Sequence, residues 1–262
     1  MPVVALDLEI APEKRTWPTS VFSLITGAFL LPSGRLSDMF GGYAIFNAGL
    51  LWFMVWSLVA GFSTGDAMLT AARALQGLGA SAFLPSGIML LGSTYRPGPR
   101  KNLVFGLYSA FAPLGFFFGI IMGGVTGEYL SWRWYFWLGA IFVFVTSVLS
   151  LATIPNDGAE CRAAGVQMDW LGVITIVPGL LLLTYAITNS AHAPHGWASP
   201  EIYATCVVGA LILCIAFYTQ GWISKHPLLP FCLFKPKSMK PLVLSLFFSY
   251  GVFGLFLFYA SF

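Results

Sequence analysis

Apolar residues along the chain fall into eight long runs, and each run ends at glycine, proline or charged residues. The runs are roughly 18 to 25 residues long, about the length that a helix needs to cross ~30 Å of hydrocarbon. The first run is short and is interrupted by Gly27 and Pro32. The pattern predicts an all-α membrane protein whose helices lie roughly at residues 17–33, 42–63, 67–92, 103–127, 132–154, 170–189, 202–222 and 240–260.

The composition agrees with a bilayer as the surroundings of this chain. Of the 262 residues 58% are hydrophobic and 9% are charged, whereas soluble domains are about 25% charged. A net charge of +3 without a basic stripe gives no indication of a nucleic-acid partner. The four cysteines lack C-x-x-C or zinc-site spacing, so we predict no disulfide framework, metal or cofactor. The first sixteen residues have no basic segment before an apolar run, so we do not expect them to be a signal peptide.

The basic residues predict the orientation of the helices, because cytoplasmic loops hold an excess of Lys and Arg. Alternate loops carry nine of them: Arg35, Arg96, Arg100, Lys101, Arg162, Lys225, Lys235, Lys237 and Lys240. The opposite loops carry only Arg133. This bias places the segment Gly34–Tyr43, GRLSDMFGGY, in the cytoplasm. Lys14 and Arg15 then precede the first span on the disfavoured side, and the last run stops at Phe262, so we expect a partial protein at both ends.

The segment GRLSDMFGGY has two interpretations. Its glycines Gly34, Gly41 and Gly42 could form a tight turn in which Asp38 caps the following helix. The alternative is a loop that takes part in function, and the residues alone leave both open.

Arg73 lies inside the third predicted span, in the sequence RALQGLGA. Facing lipid would cost it several kcal/mol, although an arginine about six residues from a helix end could also snorkel to the surface. Gln76, Gly77 and Ala80 share its helix face at i+3, i+4 and i+7. This small, polar face favours burial of Arg73 against another helix.

The fourth predicted span carries glycines at strict four-residue steps, at Gly115, Gly119, Gly123 and Gly127. Such a row forms a smooth groove against which another helix can pack closely. The groove suits static packing, and it also suits two helices that slide or rock against each other.

Four motifs resemble signatures of the major facilitator superfamily in their order and spacing. GRLSDMFGGY resembles its loop motif between spans two and three, and RALQGLGA resembles its span-four motif R-x-x-Q-G-x-G. GFFFGIIMGG resembles the span-five antiporter motif G-x-x-x-G-P-x-x-G-G, and SWRWYFW resembles the opening of span six. The fourteen-span drug:proton antiporters, of the fungal aminotriazole-resistance type, are the most similar subgroup. The resemblance maps residues 17–262 onto family spans two to nine.

The resemblance implies a role for each motif. It implies proton coupling and transport for Arg73, Gln76 and Gly77. It implies an antiporter hinge at Gly115, Gly119, Gly123 and Gly124. It implies a cytoplasmic gate loop at Gly34, Arg35, Asp38 and Gly41.

Three departures from the family pattern affect these roles. Met39, Gly42 and Tyr43 stand where the family has basic residues, and Ile120 stands where the hinge has proline. The family's first span, which often supplies an acidic proton carrier, has no counterpart here. No acid lies within a predicted span, and Glu128 stands just past the end of one, so Arg73 has no visible anionic partner.

The other candidate residues give weaker indications. His192 and His195 have H-x-x-H spacing, but Pro194 separates them and the loop is external, so metal binding is not favoured. Trp132, Arg133 and Trp134 are typical of an interfacial anchor, and Arg133 could pair with Glu128. No Ser/His/Asp, Cys/His or P-loop pattern is present, so neither an enzyme nor ATP-driven transport is predicted.

The resulting hypothesis is a secondary active transporter, a proton-coupled exporter of drugs or small toxic solutes that works by alternating access. Its partners would be a small-molecule substrate, the proton and the lipid bilayer, with no nucleic acid or ATP, and the plasma membrane is favoured over the vacuolar membrane. The alternative is a transport-inactive truncated protein or a non-transporting membrane partner. The predicted segments are a polar segment 1–16, a helix bundle 17–154, a cytoplasmic linker 155–169, two extra central spans 170–222, a basic cytoplasmic loop 223–239 and the first span of a second bundle 240–262.

Overall fold

The computed structural model describes residues 4, 7, 8, 10, 15–190, 193, 196–224 and 226–260. All long elements in this part of the chain are α-helices. They are α1 (Trp17–Phe40), α2 (Gly42–Gly61), α3 (Asp66–Thr94), α4 (Pro99–Tyr129), α5 (Trp132–Thr153), α6 (Gly158–Ala163), α7 (Trp170–Ser190), α8 (Pro200–Tyr218) and α9 (Met239–Ala260). A π-helical turn, Thr219–Ile223, continues α8.

Every predicted span corresponds to one of the long helices in the described residues, which confirms the prediction of an all-α membrane protein. Six helices are long and apolar enough to cross a bilayer, namely α2, α3, α4, α5, α7 and α8 with its π-helical turn. Helix α1 has 24 residues but is not one of these six. The described apolar part of α9 is the shorter stretch Met239–Val252.

The prediction that Gly34–Tyr43 forms a loop is wrong. Helix α1 continues through Pro32 and ends only at Phe40, and Gly41 alone separates it from α2. Ser37 is compatible with a helix because it faces another helix: its hydroxyl donates a 3.0 Å hydrogen bond to that of Ser86 in α3, whereas Asp38 is exposed. The chain therefore reverses direction at a single glycine.

Helices α1, α2 and α3 form the most closely packed part of the bundle. Small residues allow this approach: a Cβ added to Gly79 in α3 would lie 2.9 Å from the carbonyl oxygen of Gly49 in α2. Between α1 and α3, the hydroxyls of Ser33 and Ser81 lie 3.1 Å apart, and Thr26 donates to the carbonyl oxygen of Gly77. Hydroxyl pairs of this kind satisfy buried polar groups between helices where water is absent.

The residues before α1 add to the core at the opposite end of the bundle from Gly41. Val4 is buried in a cluster with Leu69 and Trp132. Asp7 accepts a 2.8 Å hydrogen bond from the Trp132 indole and lies 3.8 Å from the Arg133 guanidinium. The predicted pairing of Arg133 with Glu128 is therefore wrong. Trp132 is also only 5% exposed, so it is a core residue rather than an interfacial anchor.

The predicted central spans form a helical pair of their own. Helices α7 and α8 pack closely at Gly179 and Gly209, and a Cβ added to Gly209 would lie 2.8 Å from the backbone nitrogen of Leu183. Helix α7 also contacts α1. The predicted linker 155–169 is not fully extended, because it contains the short helix α6.

Candidate functional site: a cavity at Arg73

Arg73 lies among three helices in the interior of the bundle. Its Nε donates a 3.2 Å hydrogen bond to the carbonyl oxygen of Pro18 in α1, and its Nη1 donates a 2.9 Å hydrogen bond to Oε1 of Gln76. The guanidinium carbon lies 4.4 Å from the ring centre of Phe22 and 5.9 Å from that of Phe136. Stacking on aromatic faces stabilises a cation away from water. Of the two sequence interpretations, the geometry agrees with burial and not with snorkelling.

Gln76 fixes the position of Arg73 from the same helix. Its side chain is only 2% exposed, and its Nε2 donates to the hydroxyl of Ser57 in α2. The amide therefore relays hydrogen bonding from α2 to the guanidinium. Ser57, which forms the end of this relay, was not identified from the sequence, because a single serine in an apolar span carries no spacing signal.

A cavity of about 500 Å³ opens beside the Arg73 side chain, between α3, α4 and α5. A second cavity, of about 280 Å³, also borders Arg73. Four residues border both cavities: Arg73, Gly119, Tyr135 and Phe136. Aromatic rings form much of the lining of the second cavity, at Phe22, Phe53, Phe118, Tyr135, Phe136 and Phe142. Aromatic side chains supply large apolar contact area, as expected of a pocket for small organic molecules.

The glycine row of α4 faces the 500 Å³ cavity. Gly115, Gly119 and Gly123 line it, whereas Gly124 does not. The expectation of close helix packing along the row is not met within the described residues: a Cβ added to Gly115, Gly119 or Gly127 would meet no heavy atom within 4 Å. The absence of side chains here widens the cavity.

Gly77 stands apart from the cavity, although it was predicted together with Arg73 and Gln76. A Cβ added at Gly77 would lie 2.8 Å from the carbonyl oxygen of Phe22 and 3.1 Å from Cβ of Ile25. Both contacts belong to α1. In this structure Gly77 permits close packing of α1 against α3.

The charges around the two cavities have one sign. Arg73 is the ionised residue in both linings, and neither lining contains Asp or Glu within the described part of the chain. Its hydrogen-bond acceptors, the Pro18 carbonyl and the Gln76 amide, are neutral.

The gate-loop residues lie at the far end of α1 and do not approach Arg73. Nε of Arg35 donates a 3.0 Å hydrogen bond to the carbonyl oxygen of Gln167. A Cβ added to Gly34 would lie 3.6 Å from Cβ of Pro85. Gly41 adopts a φ of 102°, a conformation that favours glycine. Asp38 makes no capping hydrogen bond to α2, so the interpretation that Asp38 caps the following helix is wrong.

Asp157, from the segment before α6, caps helix α2 instead. Its Oδ2 accepts a 2.9 Å hydrogen bond from the backbone N–H of Gly42, and its Oδ1 accepts a 3.0 Å bond from that of Tyr43. A carboxylate at this position satisfies free N–H groups and interacts favourably with the helix dipole. Asp157 is 115 residues from Gly42 in sequence, so no local motif could reveal the cap.

The pKa of the nearby Cys161 thiol is raised above its ordinary value. Burial is the largest cause, and the negative charges of Asp157, Asp38 and Glu160 act in the same direction. The three acidic side chains thus form a negative cluster at the end of the bundle that carries Gly41.

A buried carboxylate, that of Asp169, holds the start of α7. It accepts hydrogen bonds from Gln220 Nε2 at 2.6 Å and from the Gly172 backbone N–H at 3.1 Å. Burial acts to raise the pKa of Asp169, but these bonds and further ones from Ser224 and Leu228 outweigh it, so the pKa lies below its ordinary value. This junction joins α7 to the π-helical turn after α8.

A third cavity, of about 440 Å³, lies between α1 and α7 and is bordered by hydroxyl groups such as Thr19, Ser23 and Thr184. It was not predicted, because contact between α1 and α7 is not encoded in the pattern of either helix. His192 and His195 lie outside the described residues. No group of three potential metal ligands occurs among the residues that are described.

A bundle of apolar helices, with cavities that border the partly buried Arg73 and several aromatic rings, is the architecture of a polytopic membrane protein. The family model of the Major Facilitator Superfamily matches residues 1–262. The chain therefore belongs to the Major Facilitator Superfamily.

Several characterised fungal proteins are similar in sequence. The chain is 38% identical over 223 residues to the "Low affinity ammonium transporter" of Saccharomyces cerevisiae, an alignment that covers 82% of this chain and 43% of that protein. It is 37% identical over 204 residues to the "Major facilitator superfamily multidrug transporter mdr3" of Aspergillus fumigatus, covering 76% and 38%. It is 33% identical over 252 residues to the "Aminotriazole resistance protein" of S. cerevisiae, covering 94% and 46%. The chain thus spans less than half the length of these curated relatives.

Proposed function

We propose that the protein carrying this chain is a secondary active exporter that moves drugs or other small toxic solutes outward in exchange for protons. Alternating access within a helical bundle needs a binding space that helices can enclose from either side. The observation that carries the proposal is the convergence of Arg73, the glycine row of α4 and several aromatic rings on one cavity. Relatives named as multidrug transporter and aminotriazole resistance protein support the substrate class.

Arg73 is the residue to which we assign the coupling role. A buried cation with only neutral acceptors responds strongly to a negative charge that arrives or leaves nearby. A carboxylate that takes up a proton close to Arg73 would therefore change the energy of the site when it ionises. Gln76 and Ser57 hold Arg73 in position for this role.

The glycines of α4 provide room for movement. Because Gly115 and Gly119 present no side chain to a neighbouring helix, α4 is free to shift without breaking interlocked contacts. We assign the hinge role to these positions together with Gly123 and Gly124. At the other end of the bundle, we assign the cytoplasmic gate to Gly34, Arg35, Asp38 and Gly41.

Transport is tested with the open reading frame that encodes this chain, expressed with all the coding sequence that flanks it, in yeast cells that lack their own drug exporters. Cells are loaded in separate experiments with the cationic dye rhodamine 6G and with the anionic dye carboxyfluorescein, and the accumulation of each dye is measured. The proposal predicts lower accumulation of at least one dye than in cells with an empty vector, and a protonophore should remove the difference. Equal accumulation in both strains would favour a transport-inactive membrane protein.

The same assay separates the assigned roles. Asp38→Asn should reduce efflux if Asp38 belongs to the gate, and efflux at the wild-type rate would remove it from the mechanism.

A fluorescent fusion of the same reading frame tests which membrane holds the protein. We expect the plasma membrane, and signal restricted to the vacuolar membrane would contradict this.

A further inference from the structure

The cavity at Arg73 carries information on the charge of its ligand. Arginine has five N–H donors, and the described residues accept from two of them: the Nε hydrogen is bound by Pro18, and one Nη1 hydrogen is bound by Gln76. This leaves three N–H groups of the guanidinium without an acceptor among the described residues. The group borders both the 500 Å³ and the 280 Å³ cavity.

The aromatic rings restrict how a ligand reaches these donors. The guanidinium carbon lies over the Phe22 ring, 4.4 Å from its centre, and 5.9 Å from the centre of the Phe136 ring. Because the N–H donors of a guanidinium lie in its plane, a ligand that binds them meets the group at its edge. The edge of a guanidinium matches two oxygens of a planar anion such as a carboxylate, with two parallel hydrogen bonds.

The rest of the lining supplies apolar contact and no negative charge. Phe116 and Tyr135 border the larger cavity, and the described lining of both cavities contains no Asp or Glu. A cationic ligand would find no counter-ion here and would be repelled by Arg73. An anion with an aromatic body would neutralise the buried cation and cover the rings.

We infer that the cavity binds aromatic organic anions, through a carboxylate or similar planar anionic group on Arg73. This inference deepens the proposed function by naming the charge class of the substrate. It separates this site from drug-binding pockets that select cations, which require an acidic residue in the lining.

The test uses the full-length protein in lipid nanodiscs and three probes of the same shape: radiolabelled 2-naphthoate, 2-naphthamide and 2-naphthylmethylammonium. The carboxylate should bind at least about tenfold more tightly than the amide, as expected for a hydrogen bond to a charged group, and the ammonium should bind least. Equal or tighter binding of the amide or the ammonium overturns the inference. Absence of 2-naphthoate binding also overturns the inference, because Arg73 would then not be available to an anionic ligand, as when a carboxylate elsewhere in the protein occupies it.

Variants identify the residue responsible. Arg73→Gln should remove the preference for 2-naphthoate over 2-naphthamide, and Arg73→Lys should retain part of it, because it keeps the charge but loses the paired donors. Arg162→Gln, which changes an exposed arginine on α6, is the matched control and should bind like wild type. The binding series in the wild-type protein stands as a test even if Arg73→Gln fails to fold.

Dye efflux is measured in parallel to separate this inference from the proposed function. A carboxylate preference without efflux of either the cationic or the anionic dye would retain the anion site and reject the drug exporter. Protonophore-sensitive efflux without a carboxylate preference would retain the exporter and reject the anion site.

Discussion

Oδ2 of Asp157 accepts a 2.9 Å hydrogen bond from the backbone N–H of Gly42, which joins the segment after α5 to the first turn of α2. The same carboxylate binds the next N–H group, at Tyr43. The reversal between α1 and α2 is thus held from outside, by a residue that belongs to neither helix.

Removing this cap should destabilise the protein. Asp157→Ala leaves two N–H groups of α2 without their acceptor, and we expect a loss of about 1–2 kcal/mol. Asp157→Asn should retain most of the stability, because asparagine is also a good cap. Thermal unfolding in detergent, followed by tryptophan fluorescence, measures the change. The control is Glu160→Gln, an exposed acid three residues away, and equal melting temperatures for the Asp157→Ala variant and wild type would contradict the cap.

Gly41 should not accept a side chain. Its φ of 102° is strained for other residues, and an added Cβ would lie 2.7 Å from Cα of Gly158. Gly41→Ala should therefore lower stability by at least about 1 kcal/mol. Gly65→Ala is the matched control, because that glycine has an extended backbone and an added Cβ meets nothing within 4 Å. Similar melting temperatures for the two variants would show that the reversal does not depend on glycine.

Gly77→Ala should push α1 away from α3. The new methyl group would lie 2.8 Å from the Phe22 carbonyl oxygen, a backbone atom that cannot move alone, so we expect a loss of about 1–3 kcal/mol. Gly92→Ala in the same helix adds a methyl group in open space and should be neutral or stabilising. The two melting temperatures are compared, and a stable Gly77→Ala variant would place α1 further from α3 than described.

Asp169 should make the stability of the protein depend on pH in the acid range. The pKa of Asp169 is lower in the folded protein than in the unfolded chain. Its contribution to the free energy of unfolding is therefore complete above the unfolded pKa of about 4, and it is lost as the pH falls towards and through the lower pKa of the folded state. The difference in melting temperature between wild type and Asp169→Asn should be largest at neutral pH and should shrink below about pH 4. A difference that stays constant down to pH 3 would contradict this, and Glu201→Gln, on an exposed helix start, is the control.

The helices could be predicted from the sequence because each one carries its own apolar run. Their contacts could not, because contacts depend on pairs of segments. Gly34–Phe40 shows the limit: its Gly, Ser, Arg and Asp residues are typical of a loop, yet Ser37 finds a partner in Ser86 and the helix continues. The approach of α1 to α3 decides that outcome.

The candidate site was predictable where its residues lie on one helix. Arg73 and Gln76 are three residues apart, so helical periodicity alone brings them together, and the glycine row of α4 follows the same rule. Ser57, Phe22 and Asp157 were missed, since each comes from a distant segment and belongs to a common residue type. Gly77 was grouped with Arg73 by motif, although its contacts are with α1.

The junction at Gln220 sets a chemical requirement that few side chains meet. Its amide nitrogen donates to Asp169, and its amide oxygen accepts a 3.2 Å hydrogen bond from the Leu229 backbone N–H. A glutamate would place a second negative charge against Asp169, and a lysine could not accept from Leu229. The two bonds together need a group with a donor at one end and an acceptor at the other, so even deamidation, which replaces the amide nitrogen by oxygen, would remove the donor to Asp169 and weaken this junction.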